Sequence, residues 1–147
     1  MRDGLLFIHI VGAAGWLGGG LYGWFSTASI ARIGAPTAGE TMKLMEKWAG
    51  VYFGVTSGLV LLSGIGLVLT SDAYRWGDTF VLIGLGAFLL SGVMQSTVGR
   101  KANTRLIEAG SSGTDVDSAL KSWRQTSVWD LLILFVVVWA MVTELGA

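Results

Sequence analysis

Four apolar runs, at about 5–29, 48–70, 79–99 and 127–145, dominate this chain and limit what it can become. Each is close to the roughly 20 residues an α-helix needs to cross a bilayer, and the segments between them are too small for a separate soluble core. In hydrocarbon a backbone must satisfy its own hydrogen bonds, so each run is expected to be a helix. The fold class that follows is all-α, a transmembrane four-helix bundle, with residues 1–147 forming a single domain. Hydrophobic residues make up 52% of the 147 and charged residues only 14%, a mixture that would aggregate if water surrounded it on all sides. The net charge is zero, which argues against the basic footprint of a nucleic-acid binder.

Charge placement orients the bundle. Arg32, Lys43 and Lys47 lie between the first two runs, and Arg100, Lys101, Arg105, Lys121 and Arg124 between the last two, so eight of the ten basic residues fall in two connections. The positive-inside rule puts loops 30–47 and 100–126 in the cytoplasm and both termini outside, as in a multi-pass protein of the plasma or inner membrane. Small residues from Ser26 to Ala31 loosely resemble a signal cleavage region, but the first run exceeds a signal h-region and lacks a positive cluster before it. Thr37 with Glu40 forms a capping-box pattern, and Asp115 and Asp117 suit the positive end of a helix dipole. The third helix is expected to continue through Arg100 to Ala109, before Gly110-Ser111-Ser112-Gly113 breaks it. Trp48, Trp123 and Trp129 would form an inner aromatic belt, opposite Tyr74 and Trp76.

Glycines recur every fourth residue, at Gly15, Gly19 and Gly23 and again at Gly50, Gly54 and Gly58. Such rows let helix backbones approach closely in lipid, where dispersion replaces the missing hydrophobic driving force. They predict two contact faces, used within the bundle or for a homo-oligomer or partner membrane helices. The fourth run has bulky residues from Leu131 to Trp139 and is expected to fill grooves.

Polar residues inside the runs are the candidates for function. His9 is the only histidine, about one turn inside the outer end of the first helix. It could ligate a metal or haem, or hydrogen-bond to Glu144 or a backbone carbonyl. By rise per residue Met141 and Glu144 lie within about 5–8 Å of the same depth and are its candidate co-ligands. Asp130, in the fourth run, calls for Arg100, Lys101 or Gln95 as a partner. Trp16, Tyr22 and Trp24 could line a pocket for an aromatic ligand. Met42 and Met45 share one helical face, which is either a pair of copper(I) thioethers or the apolar side of an interfacial helix. The chain has no cysteine, nucleotide loop, HExxH, Gly-x-Ser-x-Gly or paired intramembrane carboxylates, so hydrolase and kinase readings fall away and a non-enzyme is favoured.

His9 followed by Gly15-Trp16-Leu17-Gly18-Gly19 resembles the opening helix of a group of small bacterial membrane proteins. The group comprises an uncharacterised four-helix family, the copper-resistance D domain and, more distantly, the haem-binding protoporphyrinogen oxidase of the HemJ type. The likeness continues in the basic connection before the second run, in Ser63-Gly64-Ile65-Gly66-Leu67, in Arg75-Trp76-Gly77 and in Trp139-Ala140-Met141-Val142. It implies a four-helix bundle in the plasma membrane whose first-helix histidine touches haem or copper. Asp78, Thr79 and Phe80 stand where the oxidase-like members carry a lysine, and there is no second histidine. The nearer resemblance is thus to the uncharacterised family. Three roles remain open: haem b or copper binding through His9 and Met141, with Trp16 beside the cofactor; a non-catalytic subunit or scaffold; and a small-solute carrier acting as a dimer.

Overall fold

A computed structural model describes residues 2–30, 35–70 and 72–143. Among them every regular element is helical: α1 (Arg2–Ile30), α2 (Ala35–Thr70), α3 (Thr79–Met94), a π-turn (Gln95–Gly99), α4 (Arg100–Ser112) and α5 (Val116–Val142). The π-turn joins α3 and α4 into one continuous rod, so four rods are long and apolar enough to cross a membrane. α1 packs on α2 and α5, α3 packs on α5, and α4 reaches both α2 and α5.

Two differently built halves share these rods. Through the apolar stretch the large side chains point outward, as with Phe7, Phe25, Leu62, Leu69, Leu89 and Val93, while Thr56, Ser63, Ser91 and Asp130 are buried. That arrangement suits lipid, where burying apolar groups gains little and an outward polar group goes unsatisfied. At one end the pattern reverts to that of a soluble protein. Met42, Leu106, Ala109, Ala119 and Leu120 form a buried cluster, with Met45, Ile107, Val116 and Trp123 against it. The residues expected as loops 30–47 and 100–126 are therefore mostly helix, because their apolar positions recur at helical spacing and find one another across α2, α4 and α5. Met42 is core, and this cluster holds both basic connections at the same end of the bundle.

Several local expectations change with this. α2 already begins at Ala35, with Pro36 in its first turn, where proline costs no hydrogen bond. Thr37 is thus inside the helix, and Glu40 pairs with Lys43 at 2.8 Å. The break after α4 falls at Gly113, which adopts φ 72° and closes the helix through its N–H to the Ala109 carbonyl; Gly110 stays helical and buried. Trp123 packs against Gly23, while Trp48 and Trp129 face outward. At the opposite end Arg2 donates to the Tyr74 hydroxyl at 3.2 Å, and the Asp78 carboxylate accepts the Arg75 N–H at 2.7 Å to shape the turn into α3.

Only the first glycine row is a contact face within the chain. A Cβ on Gly15 would meet Thr56 at 2.9 Å, one on Gly19 would meet Tyr52 at 2.5 Å, and one on Gly23 would meet Trp123 at 3.3 Å. The Tyr52 ring cannot simply swing aside, since its hydroxyl donates to the Gly15 carbonyl at 2.6 Å. Gly50, Gly54 and Gly58 have nothing within 4 Å of the corresponding position. α2 turns Tyr52, Thr56, Val60 and Ser63 toward α1, and at 100° per residue the glycine row lies about 165° away around the helix. α5 fills grooves as expected, with Leu131 against Gly20 and Met141 against Gly84.

The two rows should respond oppositely to a methyl group. Gly19→Ala is expected to lower unfolding stability in detergent by about 1–3 kcal/mol through overpacking. Gly54→Ala should change it by no more than about 0.5 kcal/mol. Equal losses for the two would contradict the rotation described for α2.

Candidate functional sites inside the bundle

The sequence scatters its intramembrane polar groups, and the fold gathers them into two places. The deeper one centres on Asp130. Its depth is consistent along three rods: Trp16 lies about 21 Å from the start of α1, Ser91 about 18 Å from the start of α3, and Asp130 about 18 Å from the end of α5. Asp130 is only 5% exposed and Ser91 1%, so both are shielded from lipid. The Ser91 hydroxyl donates to Asp130 Oδ1, and the side chains of Gln95 and Trp16 lie close enough to the carboxyl group to interact with it. An indole N–H can only donate. Trp16 is held in place by an edge-on contact with Phe88, with ring centroids 5.6 Å apart.

Local sequence explains how Gln95 reaches the acid. The Arg100 N–H bonds to the Gln95 carbonyl, five residues back, which is the π register. Thr97 Oγ1 and Ser96 Oγ donate to the Val93 carbonyl at 2.7 and 3.1 Å. Gly99 leaves the space that the Gln95 amide occupies, since a Cβ there would strike Gln95 Oε1. Asp130 therefore takes Gln95 as its partner, as one sequence reading expected. Arg100 and Lys101 make no ion pair with it; Lys43–Glu40 is the only salt bridge among the described residues. Ser91 and Trp16 are partners that linear sequence did not indicate: serine in an apolar helix reads as packing, and Trp16 reads as a pocket or cofactor neighbour and not as a companion of an acid.

The second place is His9, half-buried between α1 and α2. Its Nδ1 lies 3.0 Å from the Val60 carbonyl and 3.1 Å from Ser63 Oγ. A carbonyl oxygen can only accept, so Nδ1 carries the proton. Ser63 in turn donates to the Leu59 carbonyl, which leaves its oxygen free to accept from His9. Gly64 lets the ring lie flat on α2, as a Cβ there would meet His9 Cε1 at 3.2 Å. In the neutral ring Nε2 keeps its lone pair, and no described residue hydrogen-bonds to it.

The other candidate ligands are not gathered around this nitrogen. Met141 turns its methyl toward Gly84 of α3, whereas His9 faces α2, and Trp16 is engaged with Asp130. Glu144 lies outside the described residues. Tyr22 points outward, and the Trp24 ring carries the Arg124 guanidinium 5.9 Å above it. No cluster of three or more His, Asp or Glu side chains occurs among the described residues. Among the described residues, the His9 site thus offers one imidazole nitrogen without a hydrogen-bond partner. No family model, curated protein or solved structure matches the chain.

Asp130→Ala removes the acceptor of the buried Ser91 hydroxyl and is expected to cost about 1–3 kcal/mol, at the high end for hydrogen bonds in membranes. Ser91→Ala should cost less. The double variant should fall short of the sum by about 1 kcal/mol in reversible unfolding, since both changes break one network.

Proposed function

We propose that this multi-pass membrane protein acts as a binding subunit that offers His9 Nε2 to haem iron or copper near one membrane face. The observation that carries this reading is the tautomer. Val60 and Ser63 hold the Nδ1 proton, which is the outer-shell arrangement that orients an imidazole ligand and raises its basicity. Because Met141 and Trp16 are occupied elsewhere, the second ligand would come from another chain, with His9 of a second copy the simplest choice. The positive-inside rule supports placing the basic end in the cytoplasm and His9 near the outer face of a plasma or inner membrane. The resemblance to the four-helix membrane group is consistent with this role.

Protein purified in mild detergent from haem- and copper-replete cells should show a Soret band or bound copper at about one group per two chains, as a pair of His9 ligands requires. His9→Ala should abolish it and Met141→Leu should retain it. Ser63→Ala should weaken binding by about tenfold or more through loss of orientation. Apo wild-type protein after loading, or an unchanged spectrum in His9→Ala, would exclude the reading.

A non-catalytic scaffold is the second reading, and the open Gly50, Gly54 and Gly58 row favours it, since such a row outside the chain's own packing suits a neighbouring helix. The chain has no cysteine, so Gly54→Cys introduces the only thiol. Rapid disulfide dimerisation in membranes is expected, and a persistent monomer would count against it.

A further inference from the structure

Beyond the helices, the π-turn opens a basic recess on the outside of the bundle. Ser96, Thr97, Arg100, Lys101, Thr104 and Arg105 line a cavity of about 450 Å³ along one face of the α3–α4 rod. Three cations and three hydroxyl groups thus converge, with no carboxylate among the lining residues. Arg100, Lys101 and Arg105 form no salt bridge among the described residues. Of their neighbours at the basic end, Lys43 is paired with Glu40 and Arg124 lies over Trp24, while Lys47 and Lys121 also form no salt bridge among the described residues.

Depth identifies the kind of anion that would meet this recess. Counted from Thr79, Ser96 lies about 26 Å and Arg100 about 32 Å along the rod, against a hydrocarbon core of about 30 Å. Arg105 lies about 39 Å along the same rod, in the headgroup zone. The lip of the cavity is therefore where lipid phosphates sit, and the exposed Val93 and Leu90 one to two turns deeper offer an apolar track for acyl chains. Arginine matches phosphate oxygens with two parallel N–H groups, and the Thr104 hydroxyl can add a further donor, those of Ser96 and Thr97 being given to the Val93 carbonyl.

We infer that this recess is a binding site for the phosphate of an anionic phospholipid in the leaflet at the basic end. The lipid phosphate occupies the space between Arg100, Lys101 and Arg105, with its chains lying along α3. Binding is independent of His9. A free phosphate shares the headgroup chemistry but lacks the chains, so it should bind far more weakly.

The test is native mass spectrometry of the full chain released from nanodiscs of phosphatidylglycerol mixed with phosphatidylcholine, together with titration of each lipid. One phosphatidylglycerol should be retained per chain in preference to phosphatidylcholine. Arg100→Gln, Lys101→Gln and Arg105→Gln combined should weaken retention by about a hundredfold or more, through loss of charge-assisted contacts to the phosphate. A control combining Lys47→Gln, Lys121→Gln and Arg124→Gln removes the same charge at about the same depth and should weaken it by less than about tenfold. The single variant Arg105→Gln, at an exposed helical position, provides an intermediate reading if the triple variant is poorly folded by circular dichroism. Equal losses in pocket and control variants would mean diffuse attraction and overturn the site. So would equal retention of the two lipids, or inorganic phosphate and glycerol phosphate competing as tightly as the lipid.

Discussion

The close approach of α1 and α2 fixes where the polar groups of this bundle can go. Gly12, Gly15 and Gly19 let the α1 backbone settle onto Val60, Thr56 and Tyr52, and the Tyr52 hydroxyl bonds directly to the Gly15 carbonyl. Without a hydrophobic force between helices in lipid, such contact at van der Waals distance is the main source of association. It sets the rotation of α1, which aims His9 at α2 and Trp16 toward α3 and α5. Both polar sites therefore depend on the same glycines, although neither contains one of that row.

The molecule answers two solvents with one set of rods. In the apolar stretch specificity comes from a few polar groups drawn inward, with the Ser91 hydroxyl on Asp130 and Gln95 and Trp16 nearby. At the basic end it comes from ordinary burial of Met42, Leu106 and Leu120. The rods pass between these regimes near the π-turn, where Gln95 points to the acid and the next residues present the basic recess. A helix can change register there because serine and threonine hydroxyls take up carbonyls that the backbone ladder would otherwise bond.

Much of the architecture was legible in the sequence, because run length and hydropathy follow directly from the dimensions of a bilayer. The gathering of charge into two connections was equally plain, and the structure brings them to one end. The helical character of those connections was less so: Met42 and Leu106 lie more than sixty residues apart, and nothing local announces that they meet. The two glycine rows look equivalent by spacing, yet only rotation about each helix axis decides which one is covered, and rotation depends on the partner. His9 and Asp130 stood out as polar residues in apolar runs. Their partners did not: Ser63 and Ser91 carry no signal apart from the contacts they make, and Trp16 reads as a pocket-lining ring and not as a neighbour of Asp130.

The π-turn places Asp130's partner and the basic recess in a fixed angular relation. An α-helix advances 100° per residue, and a π-turn accommodates about one extra residue within that count. Were the segment from Gln95 to Gly99 drawn back to ordinary helix by loss of one residue, everything beyond it would swing through about 100° relative to α3. Either the Gln95 amide would leave the acid, or Leu106 would leave its place against Met42 and carry the cations around to another side. The register shift thus acts as a phase setting between the membrane interior and the surface.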